Sequence, residues 1–200
     1  MLRIITGILI SYLIGSIPTA YIFGRVLKGI DIRKFGSGNI GATNAFRVLG
    51  KGPGILVLIL DALKGVAAVA FVGGYFSGEL LWISFGLSCV VGHIWTVFLG
   101  FKGGKGMATT LGVLIGLALK IPGLRIVLGI TLLVWLLTFI VSRIVSLASI
   151  VSVIALPVLA LSFKQSVIVV SLSVVLSLLV ILRHKPNIKR LSQGKESRLV

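Results

Sequence analysis

Long apolar runs alternate along the chain with short segments rich in Gly, Asn, Lys and Arg. A helix needs about 20 apolar residues to cross the hydrocarbon core of a bilayer, because every backbone polar group must be bonded within the segment there. The pattern predicts an all-α, polytopic membrane protein with seven transmembrane helices in a single domain over residues 1–200. The predicted spans are 4–24, 53–76, 80–101, 107–119, 126–142, 144–163 and 165–182.

The amino-acid composition also indicates a protein that lies within a lipid bilayer. Apolar residues make up 57% of the chain, charged residues only 12%, and the mean hydropathy is +1.17. So few charges cannot provide the polar shell that a soluble fold requires. The net charge of +16 indicates an anionic partner. Because the aromatic residues lie mostly within apolar runs, we expect membrane lipid and small anions as partners and no nucleic acid.

The short run at 107–119 is the weakest predicted span, and loop charge tests it. With seven spans, fifteen Lys and Arg residues lie on one side of the membrane and four on the other; without this span the division is eleven to eight. Basic residues favour cytoplasmic loops. We therefore expect the N-terminus outside, the C-terminus in the cytoplasm, and three polar segments, about 25–52, 100–107 and 183–200, on the cytoplasmic side.

The first polar segment reads Phe35-Gly-Ser-Gly-Asn-Ile-Gly-Ala-Thr-Asn44 and is followed by Arg47. Its Gly-x-Gly-x-x-Gly spacing is typical of a dinucleotide site only after a strand, and a membrane span precedes it here. Glycines still expose backbone N–H groups, and Ser37, Thr43 and Asn44 add short polar groups. The segment therefore predicts a phosphate-binding nest, with a flexible interhelical loop as the alternative.

The second polar segment, Phe101-Lys-Gly-Gly-Lys-Gly-Met-Ala-Thr109, has two lysines among three glycines at the predicted start of a helix. It is not a Walker A loop, because Gly106 follows Lys105 where Ser or Thr is required. Fixed charge, N–H groups and the helix dipole together favour an anion. A positive flank of a span is the alternative, but it explains the lysines only.

The third polar segment is the tail Arg183-His-Lys-Pro-Asn-Ile-Lys-Arg190. A basic tail after a last span usually contacts anionic lipid. His184 and Asn187 lie outside that explanation, and Pro186 stiffens the backbone between them. We give little weight to the last residues, 196–200.

Ionisable residues within predicted spans are costly and indicate a role. Asp61 and Lys64 are spaced to pair on one helix face, and His93 lies near the inner end of its span. Support of the helix bundle and a direct role in function are equally good interpretations for all three. Two histidines and four dispersed acids make no metal cluster, so we expect no metal and no cofactor.

These segments resemble the three motifs of the bacterial acyl-phosphate:glycerol-3-phosphate acyltransferase family. The resemblance is carried by FGSGNIGATN with Arg47, by GHIWTVFLGFKGGKGMAT at 92–109, and by HKPNIKR at 184–190. It covers nearly the whole chain, and Met107 departs from it where valine is usual.

The resemblance implies transfer of a fatty acyl group from acyl phosphate to the sn-1 hydroxyl of glycerol 3-phosphate, giving lysophosphatidic acid and phosphate. It also implies a bacterial inner-membrane location and, as a further partner, the enzyme that supplies acyl phosphate. An acyl phosphate has a good leaving group, so no acyl-enzyme is required, and neither a Gly-x-Ser-x-Gly elbow nor a His-x4-Asp pair is present. Direct attack remains, and the resemblance implies that it is substrate-assisted.

Residue roles follow from the resemblance together with the chemistry of each side chain. We assign Ser37, Lys105, His184 and Asn187 to catalysis, with the last two orienting glycerol 3-phosphate, and Asp61, Lys64 and His93 to support within the membrane. The residues assigned to the substrate phosphates are Gly38, Asn39, Gly41, Thr43, Asn44, Arg47, Gly103, Gly104 and Thr109.

Two other functions are compatible with a basic membrane protein. An organic-phosphate transporter or channel also uses glycine-rich helix ends, but it places its site near the midplane and often has inverted repeats. A lipid-binding scaffold would use the basic residues alone and leaves Ser37, Asn39 and Asn44 unexplained.

Overall fold

The computed structural model describes residues 1–199, and these residues are helical apart from short connections. Val200, the last residue of the predicted polar tail, lies outside the described residues. Ten α-helices, numbered α1 to α10 in chain order, are Leu2–Ser16, Thr19–Lys28, Ala42–Leu49, Lys51–Ala67, Glu79–Ile94, Met107–Lys120, Leu124–Ser142, Val145–Ser162, Val167–Arg183 and Lys185–Ser192.

The chain forms two compact units. The first contains Met1–Leu117 and the second begins at Ala118. The prediction of a single domain therefore stays a prediction, and each unit is described by itself.

In the first unit, the apolar run predicted at 4–24 is broken between α1 and α2. The break lies at Ile17 and Pro18. Proline interrupts the helix because it has no N–H to continue the series of helical hydrogen bonds. The Ser16 carbonyl accepts from Thr96 Oγ1, and the Ile17 carbonyl accepts from Lys64 Nζ in addition to the N–H of Thr19. Polar side chains thus replace the backbone donors that the break removes, as burial inside a bilayer requires.

Glycine pairs allow the helices of the first unit to pack at backbone contact. A Cβ at Gly15 or Gly92 would overlap the backbone across the α1–α5 interface, and one at Gly65 or Gly112 would do so between α4 and α6. Small residues at helix crossings are how membrane helices approach closely.

The second unit is built from α7, α8 and α9, with α8 packed against both neighbours. Ser177 on α9 donates to the Val153 carbonyl of α8 at 2.5 Å, so a hydroxyl bonds the two helices directly. The chain bends by 62° between α9 and α10, at His184.

Five helical segments within residues 1–199 are long and apolar enough to cross a membrane. The bent pair α9–α10 gives a sixth if it counts as one span, and α6 is a shorter apolar helix. An all-helical, polytopic chain is therefore confirmed, and each predicted span overlaps one or more of these helices. The number of seven crossings and the orientation of the termini stay predictions.

Candidate functional site

The first polar segment is held in a defined shape by the fully buried side chain of Asn44, at the start of α3. Its Oδ1 accepts the N–H of Ser37 at 2.8 Å, and its Nδ2 donates to the carbonyls of Phe35 at 3.1 Å and Ile32 at 3.4 Å. One side chain therefore clamps both arms of the glycine-rich turn. Asn44 was predicted to bind phosphate, and the observed contacts make it a support of the loop that carries Ser37.

Two features set the path of this loop. Gly36 and Gly38 have φ of 59° and 71°, in the left-handed region that favours glycine. Upstream, Asp31 caps the short 3₁₀ turn Ile32–Lys34 by accepting from the Arg33 backbone and guanidinium, the latter at 2.7 Å. The hydrogen bonds from the Arg33 side chain are the main reason that the pKa of Asp31 falls to about 2. The Asp31 carboxylate therefore stays ionised and paired with Arg33 at physiological pH.

The other predicted residues of the first segment lie on its accessible side. Ser37 and Arg47 are exposed, while Gly38, Asn39, Gly41 and Thr43 are half-buried. Gly41 is the N-cap of α3, and its carbonyl accepts the N–H groups of Asn44 and Ala45. Hydroxyl and amide groups are thus presented around the start of α3, and the Arg47 guanidinium extends from its last turn. These groups can together bind an oxyanion.

The second polar segment folds back onto the end of α5. Gly103 donates its N–H to the Ile94 carbonyl and Gly104 to the His93 carbonyl, both at 3.0 Å. A Cβ at Gly103 would overlap these carbonyls, so glycine is needed for the approach. We expected the N–H groups of both glycines to face an anion. In this conformation they instead cap α5 and fix the backbone just before Lys105, which is half-buried.

Thr109 lies deeper than a phosphate ligand needs. It is fully buried in the first turn of α6, and its Oγ1 has no hydrogen-bond partner among residues 1–199. Its backbone carbonyl is at the contact with Gly65 of α4. Its assignment to phosphate therefore stays a prediction, and its observed contact is with a neighbouring helix.

The first two polar segments are neighbours within the first unit. Leu99, on the 3₁₀ turn Val97–Leu99 that leads into the second segment, packs against a buried cluster that includes Ile32, Ile40 and Ala45 of the first. This cluster brings the Ser37 loop and the Lys105 loop to the same end of the unit.

Asp61 and Lys64 form the buried pair that their spacing predicts. Lys64 Nζ lies 2.6 Å from Asp61 Oδ1, which also accepts from Thr19 Oγ1 at 2.9 Å. His93 Nδ1 lies 3.9 Å from the same oxygen. The predicted support residues are thus brought together, and Thr19 joins them from α2. No local pattern indicates a role for Thr19, because its partner is 42 residues away.

The third polar segment lies in the second unit, where His184 occupies the bend between α9 and α10. Its ring is buried, and Nδ1 lies 2.7 Å from the Val180 carbonyl. A carbonyl can only accept, so Nδ1 carries the proton in the neutral ring and Nε2 is the basic nitrogen. The geometry is therefore compatible with His184 as a proton acceptor at Nε2.

Asn187 is held by a residue that we gave little weight. Glu196 accepts from Asn187 Nδ2 at 2.5 Å and Ser146 Oγ at 2.8 Å through Oε1, and from Arg190 Nε at 2.6 Å through Oε2. The carboxylate thereby ties the tail to α8 and α10. Burial alone would raise the pKa of Glu196, but the bonds from Arg190, Asn187 and Ser146 outweigh it and lower the pKa.

A sequence signal for Glu196 existed. It is one of only four acids in a chain of net charge +16, and it lies within a basic tail. An isolated acid among cations is expected to pair with them. Ser146 could not have been found in this way, since 50 residues separate it from Glu196.

The predicted residues therefore fall into two groups. Those of the first two segments and the buried support residues lie in the first unit, and His184 and Asn187 lie in the second. Among residues 1–199, no group of three His, Cys, Asp or Glu side chains could hold a metal ion.

Comparison with known proteins gives one consistent result. The family model described as glycerol-3-phosphate acyltransferase matches residues 5–194. The chain is 47% identical over 190 residues to a glycerol-3-phosphate acyltransferase of Synechococcus sp. (strain CC9902), which covers 95% of this chain and 92% of that protein. It is 47% identical over 193 residues to glycerol-3-phosphate acyltransferase 2 of Moorella thermoacetica, at 96% of both chains.

The fold also matches a solved structure, the crystal structure of PlsY (YgiH), an integral membrane glycerol 3-phosphate acyltransferase. Its glycerol 3-phosphate form superimposes with a TM-score of 0.89 at 40% identity, covering 98% of this chain and 94% of that one. Its lysophosphatidic acid form gives a TM-score of 0.86 at 39% identity over the same shares.

Proposed function

The chain belongs to the glycerol-3-phosphate acyltransferase family, and we propose from this that it transfers a fatty acyl group from acyl phosphate to the sn-1 hydroxyl of glycerol 3-phosphate. The observation that carries the proposal is the match over 98% of the chain to an integral membrane relative described in its glycerol 3-phosphate form. The identity of the acyl donor is our inference from the motifs and from the chemistry of the site.

The reaction needs cations and donors for two phosphates. The glycerol 3-phosphate hydroxyl attacks the acyl carbonyl, the new ester C–O bond forms, and the bond between the acyl carbon and the phosphate oxygen breaks. The hydroxyl proton leaves with the inorganic phosphate. Since phosphate is a good leaving group, the protein contributes mainly by positioning and by stabilising charge.

Ser37 and Lys105 stand closest to chemistry in this proposal. Ser37 is exposed on a loop clamped by Asn44, and Lys105 follows a backbone fixed by the end of α5. Both are thus supported rigidly, as residues that stabilise a transition state must be. The Lys105 ammonium would offset the charge that develops on the acyl phosphate, and Arg47 with Thr43 would bind a phosphate nearby.

His184 and Asn187 would orient glycerol 3-phosphate. Nε2 of His184 is able to accept a proton or a hydrogen bond from a hydroxyl, and Glu196 fixes the orientation of the Asn187 amide. A substrate phosphate would take up the hydroxyl proton, so no covalent intermediate on the enzyme is needed. Glu196 and Ser146 join the proposal as positioning residues.

We further propose that the chain crosses the bacterial inner membrane seven times. The N-terminus would lie outside and the active site would face the cytoplasm, in accordance with the distribution of Lys and Arg. Acyl phosphate carries a long acyl chain, so its membrane location favours direct supply by the enzyme that makes it.

Incubation of the purified protein with acyl phosphate and glycerol 3-phosphate tests the function. We expect release of phosphate and formation of 1-acyl-glycerol 3-phosphate in equal amounts. Uptake of glycerol 3-phosphate into proteoliposomes without acyl transfer would decide for a carrier instead. Acyl transfer from acyl coenzyme A but not from acyl phosphate would disprove the proposed donor.

A further inference from the structure

Side chains from three helices meet in a buried polar network inside the first unit. Asp61 and Lys64 of α4 are 1% and 7% exposed, and His93 at the end of α5 is 6% exposed. Thr19 completes the network from α2 through its bond to Asp61. Charged groups are expensive to bury in a membrane protein, so a network of this kind indicates more than packing.

The network reaches the Lys105 loop through His93. The Nδ1 edge of the ring lies 3.9 Å from Asp61 Oδ1. The opposite edge lies against Gly104, where a Cβ would overlap Nε2. The backbone carbonyl of His93 also accepts the N–H of Gly104 at 3.0 Å. A continuous series of contacts therefore joins Asp61 to the residue that immediately precedes Lys105.

We infer that Asp61 is a positioning residue for acyl transfer, which holds the His93 ring so that His93 fixes the backbone presenting Lys105. The inference rests on the proposed function, because it gives the network a role in turnover in addition to one in stability.

Two features favour positioning over support alone. Asp61 and Lys64 are on the same helix, so their pairing neutralises both charges without any need for His93. In addition, the Asp61 carboxylate lies 3.9 Å from His93 Nδ1, beyond a direct hydrogen bond, and its charge favours a proton on that nitrogen and the ring orientation that faces it. The ring edge that faces Gly104 is then fixed as well. A small displacement of a catalytic group lowers turnover strongly, by about 100-fold for 1 Å.

The double variant Asp61→Asn/Lys64→Met separates positioning from stability. Asp61→Asn alone leaves the Lys64 ammonium buried without its carboxylate, so we expect a lower Tm and a lower kcat. Removal of both charges in the double variant should restore much of the Tm. If Asp61 positions the Lys105 loop, kcat of the double variant stays at least tenfold below that of the unaltered protein, while KM for glycerol 3-phosphate changes little.

Gly7→Ala provides a matched control for destabilisation in the same unit. Its methyl group would lie 2.8 Å from Cε1 of Phe85, across the α1–α5 interface. We expect a lower Tm with kcat close to that of the unaltered protein. Recovery of kcat together with Tm in the double variant, or an equal loss of kcat in Gly7→Ala, would overturn the inference.

Hydrogen–deuterium exchange of the Gly103 and Gly104 amides gives a second measurement that needs no turnover. These amides are hydrogen-bonded to the end of α5. Their exchange rates should therefore rise in the double variant and stay unchanged in Gly7→Ala. Unchanged exchange in the double variant contradicts the link between Asp61 and the loop. If the unaltered protein transfers no acyl group from acyl phosphate, the proposed function and the role in turnover both fail, and exchange alone decides the link.

Discussion

The carboxylate of Glu196 accepts a hydrogen bond from the side-chain amide of Asn187 at 2.5 Å. The bond directs the NH₂ group of the Asn187 amide toward Glu196, so the Asn187 side-chain carbonyl points away from that carboxylate. Because Ser146 and Arg190 bond the same carboxylate, the orientation of Asn187 depends on both α8 and the tail.

Glu196→Gln should lower acyl transfer by about 10- to 100-fold, because a misoriented orienting group reduces turnover by that order. Glutamine can accept only through one oxygen, so at least one of the three donors loses its partner. The steady-state kcat of the purified variant measures the effect. Glu79→Gln is the matched control, at the start of α5, and should keep nearly full activity. Equal activities of the two variants would contradict the role of Glu196.

The stability that Glu196 contributes should depend on pH. Its pKa is lowered in the folded protein, so its contribution is complete above the ordinary value of 4.5 and is lost as the pH falls through the lowered value. The difference in Tm between the unaltered protein and Glu196→Gln should therefore be constant near neutrality and shrink below about pH 4.5. A difference that stays constant down to acid pH would show that ionisation of Glu196 does not matter.

Lys105→Ala should abolish turnover and leave the fold intact. The ammonium is proposed to offset charge in the transition state, whereas the backbone at Lys105 is fixed by its neighbours. Lys102→Ala, which removes an exposed lysine from the same loop, should retain most activity. Phosphate release and circular dichroism on both variants make the comparison. Near-normal acyl transfer by Lys105→Ala would remove that lysine from the mechanism.

Asn44→Ala should destabilise the first polar segment by about 0.5–1.5 kcal/mol for each hydrogen bond lost, because these bonds are partly or fully buried. The N–H of Ser37 and the carbonyl of Phe35 lose their bonds together. Asn44→Asp keeps the acceptor for Ser37 but not the donor, so its loop should be ordered only in part. Proteolysis rates at the loop should rank Ala above Asp above the unaltered protein. Equal rates would contradict the clamp.

Cysteine labelling can test the seven crossings. Cys89 is fully buried, so the unaltered protein should not react with a membrane-impermeant maleimide. In a Cys89→Ala background, cysteines at Lys51 and Arg143 should react only from the cytoplasmic side, and cysteines at Lys120 and Lys164 only from outside. Labelling of Lys120→Cys and Lys102→Cys from the same side would mean that α6 does not cross.

The sequence allowed prediction of the family, the helical class and the three polar segments, because apolar runs and glycine-rich motifs are local features. It misjudged particular contacts for one physical reason. The N–H groups of Gly103 and Gly104 were expected to face an anion, but the end of α5 provides carbonyls that only the fold brings near. Glu196 likewise owes part of its role to Ser146, which is 50 residues away. The partners of Asn44 lie within its own segment, but their spacing alone does not show that one side chain bonds all of them.

The break at Pro18 illustrates the same limit. Proline indicates an interruption of the helix, yet nothing local says which groups satisfy the carbonyls that it leaves exposed. Lys64 and Thr96 do so from 47 and 80 residues away. The buried pair of Asp61 and Lys64 was predictable from spacing, but the second function of Lys64, as donor to the Ile17 carbonyl, was not.

Because both charges of that pair are on α4, they can neutralise each other within a single helix before any other helix is present. An isolated Asp or Lys at the centre of a span opposes insertion by about 2.5–3.5 kcal/mol. A self-paired segment can partition from the translocon into lipid with less of that penalty. Either single neutral substitution, Asp61→Asn or Lys64→Met, would therefore leave one unpaired charge on α4 during insertion. The helix would then need a neighbouring helix to offset that charge as soon as it enters the bilayer.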